Sequence, residues 1–246
     1  MRNALITGTS SGLGRGLARV LLAQGWQVYG CSRRCSGLLD LREVQVDLTA
    51  HDTVGERLDR LLDGVPGLDL VVLNAGMLGA IRDISETPLS ELKQVMEVNV
   101  WANKTLLDWL HATDIPVGQI LLISSGAAVL GNRGWGGYAL SKAALNMLAK
   151  LYAHEFPDTH LSALAPGIID TAMMDQLCDE SDAERFPALQ RLRQARGTDA
   201  MPGAGAAAER VLSVLPALRE RPSGSFVDIR EILDPEGYAA LFGHHT

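Results

Sequence analysis

Short runs of Val, Leu and Ile alternate along the chain with longer stretches whose apolar residues recur at helical spacing. The runs are "NALIT" (3–7), "WQVYGC" (26–31), "VQV" (44–46), "LDLVVLN" (68–74), "QILLIS" (119–124), "HLSALA" (160–165) and "SFVDI" (225–229). Helical spacing is clearest over Leu13 to Ala23, Val54 to Leu62, Leu89 to Leu110, Tyr138 to His154 and Ala204 to Leu215. Strands that are apolar at almost every position must be covered on both faces, and the intervening helices supply the cover. The pattern therefore predicts an α/β chain built on a doubly wound sheet of about seven parallel strands flanked by helices.

The stretch 173–201 departs from this alternation. It is long, rich in charge and without a strand signal, which predicts one or two helices outside the sheet, placed as a lid-like insertion. A short tail follows at 234–246. No Pro/Ser-rich linker or shift of composition divides the chain, and 246 residues of which 47% are hydrophobic can bury one substantial core, so residues 1–246 read as a single domain.

Charge removes some functions. A net charge of -7 opposes the clustered Lys and Arg that nucleic-acid binding needs, and "SRR" at 32–34 is long enough only to hold one phosphate. Cys31, Cys35 and Cys178 are an odd set with no matching His/Cys pair, which argues against a disulfide framework and against a metal site and predicts small buried thiols. The first strand begins within two residues of Met1, and no apolar run reaches the roughly 18 residues that spanning requires, so the reading is a cytoplasmic protein without a membrane segment. His154, His160, His244 and His245 sit in no base or ligand pattern.

"TGTSSGLG" (7–14) directly follows the first strand and opens the first helix. Glycines there permit positive φ and close backbone approach, while free N–H groups at a helix start attract a pyrophosphate. Gly8, Gly12 and Gly14 are the candidates, with Ser10, Ser11 and Leu13 between them. Their spacing, G-x3-G-x-G, departs from G-x-G-x-x-G, and a tight turn without a ligand is the plainer alternative. The second strand ends in Cys31, Ser32, Arg33 and Arg34, where an acid would bind ribose hydroxyls and repel a 2′-phosphate. Two guanidiniums in place of an acid favour NADP(H) over NAD(H), with Arg33 preferred to Arg34. Asp47, followed by Leu48, is suited either to an adenine amino group or to capping the next helix. Asn74, Ala75 and Gly76 end the fourth strand with residues small enough for a flat cofactor to lie against.

After the fifth strand comes "ISSGAAVLGNRGWGGYALSK" (123–142). Ser125 offers a hydroxyl at a strand end, and Tyr138 and Lys142 stand one helical turn apart on one face, a set of groups suited to reducing a carbonyl. Trp135, Met173 and Met174 would make an apolar, adaptable wall beside them for an aromatic or bulky ketone, or serve only as packing.

These motifs resemble the short-chain dehydrogenase/reductase family across nearly the whole chain. "TGTSSGLG", "NAG" at 74–76, Asn99 in "EVNV", Ser125, "YALSK" and "PGIIDT" at 166–171 occur in family order and at family spacing. The resemblance implies a Rossmann-like sheet and a homodimer or homotetramer, with helices 89–110 and 138–154 in symmetric contact. It implies that Tyr138 gives a proton to the substrate oxygen as hydride arrives from the nicotinamide. Lys142 would favour the phenolate and hold the nicotinamide ribose, Ser125 would fix the substrate oxygen, and Asn99 would support a water. Pro166, Gly167 and Ile168 would bend the chain over the nicotinamide, with Thr171 on a phosphate or carboxamide. Ser11 stands where a basic residue is usual, and "LSALAPG" replaces a more polar stretch. "SGSFVDIREIL" (223–233) resembles, less specifically, the sepiapterin reductase and benzil reductase branch, which implies vicinal dicarbonyl substrates. An alcohol dehydrogenase working oxidatively and a non-catalytic NADP sensor are the alternative readings; sensors commonly lose the tyrosine or the lysine.

Overall fold

A computed structural model of the protein describes residues 1–179 and 184–242. Part of the insertion (180–183) and the end of the tail (243–246, with His244 and His245) lie outside the described residues. Seven parallel strands form one sheet: β1 (Asn3–Thr7), β2 (Gln27–Ser32), β3 (Arg42–Gln45), β4 (Leu70–Leu73), β5 (Gln119–Ile123), β6 (His160–Ala165) and β7 (Ser225–Asp228). Their order is β3-β2-β1-β4-β5-β6-β7. The order reverses between β1 and β4, so the crevice beyond the carboxyl ends of those two strands is where such sheets take a ligand.

Around the sheet lie α1 (Gly12–Ala23), α2 (His51–Leu61), α3 (Leu89–Met96), α4 (Ala102–Ala112), α5 (Ala127–Leu130), α6 (Gly136–Tyr152), α7 (Ala172–Asp179), α8 (Pro187–Ala195), α9 (Ala204–Arg219), α10 (Arg230–Leu233) and α11 (Pro235–Phe242). Period-two alternation divides each strand between two cores. Leu5, Val71, Leu73, Ile120, Leu122 and Leu161 face Val54, Leu58, Leu106, Leu107, Leu145 and Ala149 of α2, α4 and α6. Ala4, Ile6, Val28, Val72, Leu121 and Leu164 face Leu13, Leu17, Leu21, Ala208, Val211 and Val214 of α1 and α9.

Two differences from the sequence reading have physical causes. The continuous helix expected over Leu89 to Leu110 is divided by a π-helical turn at Glu97–Trp101, where one extra residue per turn rotates Asn99 into the interior. The side chain of Asn103 donates to the carbonyl of Asn99 (2.8 Å), so the irregular turn keeps its backbone paired. Cys31 and Cys178 are buried, but Cys35 is exposed, because it lies in the loop beyond β2 and not on a strand.

α1 and α9 pack at unusually short range. A Cβ on Gly16 would stand 2.4 Å from the carbonyl oxygen of Ala204, too close for any side chain. Gly16→Ala is expected to force the helices apart at about 1–3 kcal/mol, lowering the thermal melting temperature by roughly 2–10 °C. An unchanged melting temperature would mean that the pair separates at no cost.

Candidate active site

The carboxyl ends of β4 and β5, the π-turn Glu97–Trp101 and the first two turns of α6 bring four predicted residues together. Lys142 is 4% exposed, and its ammonium donates to the carbonyl of Ile123, the last residue of β5, at 2.7 Å. Asn99 is fully buried: its Oδ1 accepts from the Met77 N–H (2.8 Å), and its Nδ2 donates to the Met77 carbonyl (2.8 Å) and to Ser141 Oγ (2.9 Å). Ser141 in turn donates to the carbonyl of Tyr138 (2.7 Å), which links the π-turn to the start of α6. A Cβ on Gly76 would stand 3.1 Å from Asn99 Oδ1 and 3.6 Å from Lys142 Nζ, so "NAG" runs directly past both.

Ser125 lies close enough to Tyr138 to influence its phenol, and Lys142 Nζ lies 5.6 Å from the centre of the Tyr138 ring. Burial raises the phenol above its ordinary range, and the nearby Ser125 hydroxyl opposes it. Burial also lowers Lys142, from 10.5 to about 8. Around neutral pH the pair is therefore a proton-bearing phenol beside a cation that gives up its charge more readily than a surface lysine.

The glycine loop meets the other end of the crevice. Gly8 has φ 76°, and a Cβ on Gly14 would fall 2.4 Å from the Gly8 carbonyl and 2.5 Å from Asn74 Nδ2, so loop, helix and β4 converge at backbone range. Gly12 faces Thr171, whose methyl would be 3.6 Å from an added Cβ, so the two predicted cofactor loops adjoin. No side chain caps α1: the Ser11 hydroxyl makes no cap bond, which leaves the helix start open to an anion. Arg33 and Arg34 are exposed beyond β2, and Ser32 Oγ donates to the Arg34 carbonyl (2.6 Å). Asp47 accepts from the Thr49 N–H (3.0 Å) and hydroxyl (2.8 Å), which hold its carboxyl below the usual range, with burial opposing and Arg33 adding a smaller pull. It makes a local turn two residues long; α2 begins later, at His51.

A third apolar cluster covers Tyr138. Leu78, Met174, Leu177, Phe186, Leu189 and Met201 are buried in it, with Ile81, Trp135, Tyr138 and Ile168 packed against them. The insertion thus forms two helices, α7 and α8, over the Tyr138 end of the crevice. Of the predicted wall, Trp135 and Met174 belong to this cluster, whereas Met173 is exposed, since neighbours on a helix point about 100° apart.

Residues 2–182 match the family described as short chain dehydrogenase. The chain belongs to the short chain dehydrogenase family. As such it is an oxidoreductase, and it shares 30% identity over 244 residues with a benzil reductase ((S)-benzoin forming) of Bacillus subtilis, spanning 93% of this chain and 98% of the relative. A benzil reductase ((S)-benzoin forming) of Saccharomyces cerevisiae, IRC24, is 31% identical over 220 residues, 80% of this chain and 83% of its own. Among solved structures, the short chain dehydrogenase/reductase YIR035C of Saccharomyces cerevisiae superposes with a TM-score of 0.81 at 23% identity, covering 95% of this chain and 98% of that one. The KRED1-Pglu enzyme gives 0.80 at 24%, covering 92% and 100%. At those identities the superpositions speak for the fold.

Several residues of this short chain dehydrogenase escaped the motif reading. Thr7 Oγ1 accepts from the N–H groups of Asn74 and Ala75 (2.9 Å each), pinning the ends of β1 and β4 together. Arg15, one turn into α1, donates from Nε to the Ser36 carbonyl (3.0 Å) and brings a third guanidine toward the loop of Arg33 and Arg34. Arg133 binds Asp83 through two 2.7 Å bonds, and Arg185, just before α8, reaches Asp83 (2.7 Å) and Glu86 (2.6 Å). Those two guanidiniums hold the Asp83 carboxyl far below the usual range and fasten the cover to the loop after β4. Thr7, which opens the glycine motif, and Arg15, one turn into the helix that follows it, carried a sequence signal; the others pair across 50 to about 100 positions of chain.

The shift of Lys142 has a testable sign. A lysine lowered from 10.5 to about 8 leaves the folded protein carrying the full cost of a buried ammonium below pH 8, and that cost disappears as pH rises to 10.5. Relative to Lys142→Met, the wild type is expected to gain on the order of 3 kcal/mol between pH 7 and 10.5. Urea unfolding of both proteins across that range measures it, and parallel curves would show that the ammonium is not buried.

Proposed function

We propose that the chain is an NADPH-dependent carbonyl reductase of ketones, vicinal diketones in particular, with Tyr138 as proton donor. The observation that carries this reading is the group of Tyr138, Ser125, Lys142 and Asn99 at the strand ends beneath an apolar cover. Raised by burial, Tyr138 keeps its proton at neutral pH and can give it to an oxygen that gains negative charge. Ser125, beside Tyr138, would hold the same oxygen and fix its distance from the proton. Lys142 uses one of three N–H donors on Ile123, leaving two for ribose hydroxyls, and its charge eases the loss of the Tyr138 proton.

The residues suit a dinucleotide. The uncapped start of α1 favours a pyrophosphate, Gly14 leaves no room for a Cβ and Gly76 only a tight one, and Gly167 (φ 82°) turns the chain toward Ile168 and Thr171. When bound, the nicotinamide supplies the hydride. Arg33 and Arg34, with no acid at the end of β2, support the phosphorylated form, and Arg15 would steady their loop. The diketone preference rests on the two benzil reductases above and on the apolar cluster beside Tyr138. In this reading 1–246 is one catalytic domain in which 173–201 serves as a lid. The exposed stripe Leu140, Met147 and Leu151 on α6, with exposed Trp101 beside α4, supports a homodimer or homotetramer built on those helices.

Loss of NADPH absorbance with diketones, quinones, pterins and simple ketones tests the reading. Tyr138→Phe is expected to lower kcat by about 100-fold or more. Arg33→Ala is expected to raise the KM for NADPH about tenfold relative to that for NADH, the loss of one bidentate phosphate contact. Tight NADPH binding with no turnover on the whole panel would instead favour a sensor, and turnover confined to secondary alcohols an oxidative dehydrogenase.

A further inference from the structure

The indole N–H of Trp135 is a buried donor without an acceptor in the protein. Two other buried polar atoms among the described residues share that condition, Thr9 Oγ1 and Trp26 Nε1, but neither belongs to the cluster that packs on Tyr138. Trp135 does. Its ring centre lies 6.2 Å from that of Tyr138 at a tilt of 56°, and Leu78, Ile81, Ile168, Met174 and Phe186 make up the surrounding apolar packing.

The position is fixed and not a loose loop end. The Trp135 carbonyl accepts from the Ala139 N–H (2.7 Å), its own N–H reaches the Asn132 carbonyl (3.3 Å), and its backbone pairs with that of Arg82. Trp135 also precedes Tyr138 by three residues, about one helical turn, which stacks the two on one face. The cluster it packs on is apolar apart from the Tyr138 phenol and the Cys178 thiol, and neither accepts from the indole N–H, so an acceptor has to come from outside the chain. A buried donor of this kind calls for such a partner, because leaving it unpaired is costly.

We propose that the Trp135 indole N–H donates to the second oxygen of a vicinal diketone while Tyr138 and Ser125 address the carbonyl being reduced. The assignment rests on the carbonyl reductase reading and names what would make that site prefer diketones. In the reaction one C=O π bond is replaced: its carbon gains the hydride from NADPH and its oxygen gains the proton from Tyr138. The neighbouring carbonyl is unchanged and accepts from Trp135 throughout. A ketone without the second oxygen leaves the N–H orphaned, so discrimination comes from an unpaired group and requires no steric exclusion.

The test compares benzil with deoxybenzoin, the same molecule with one carbonyl replaced by CH2, using NADPH and steady-state kinetics. It is run on the wild type, on Trp135→Phe, and on a protein whose Trp135 indole is exchanged for benzothiophene, which keeps the bicyclic shape and puts sulfur in place of N–H. The kcat/KM ratio of benzil to deoxybenzoin is expected to fall about tenfold in both altered proteins, mainly through a higher KM for benzil. If Trp135→Phe does not fold, the benzothiophene protein decides. A ratio equal to that of the wild type overturns the assignment and leaves the reductase reading in place. If the wild type reduces neither compound, the vicinal-diketone part of the reductase reading fails and the assignment falls with it.

Discussion

A buried ammonium is the most demanding group in this molecule, and the architecture around it can be understood as a response. Lys142 is enclosed between the end of β5, the strip Asn74–Gly76 and the π-turn that carries Asn99. An ion removed from water must regain its hydration from fixed dipoles. The strand-end carbonyl of Ile123 provides one; Asn99, held on both sides by Met77 and by Ser141, places another polar group beside Gly76. The irregular turn, the missing Cβ at position 76 and the exact length of β5 each look like local oddities. Together they make room for one charge.

The opposite end of the crevice obeys a constraint of backbone contact. Gly8, Gly14 and Asn74 meet within distances that no Cβ allows, and Thr7 binds two successive N–H groups of the next strand. Because these contacts lie where the strand order reverses, closing them also opens the crevice on the far side.

Rigid and adjustable parts are separated. Tyr138, Ser125, Lys142 and Asn99 stand on strand ends and helices packed into two sheet cores, so their spacing is held by the most stable part of the fold. The cover over them has its own small apolar cluster and is fastened by Arg133, Arg185, Asp83 and Glu86, charges that are partly exposed to water. Exposed pairs contribute little to global stability.

Much of this was legible in the order of residues. Seven apolar runs became seven strands because a run buried on both faces has no other stable use, and "TGTSSGLG", "NAG" and "YALSK" act over one or two turns of chain, where spacing alone sets which groups adjoin. The π-turn was not legible: Leu89 to Leu110 has unbroken helical periodicity, and only the pull of Met77 and Ser141 on Asn99 shows why one residue is added. Nor could spacing choose between Met173 and Met174, place Cys35 outside the core, or foresee that Asp83 would be shared by Arg133 and Arg185. By itself the sequence determined the sheet, the glycine turn and the Tyr–Lys pair, because each rests on short-range periodicity and backbone sterics. Tertiary structure alone decided the burial of Lys142, the orphaned N–H of Trp135 and the fastening of the cover, because each depends on groups that meet only after distant segments have packed.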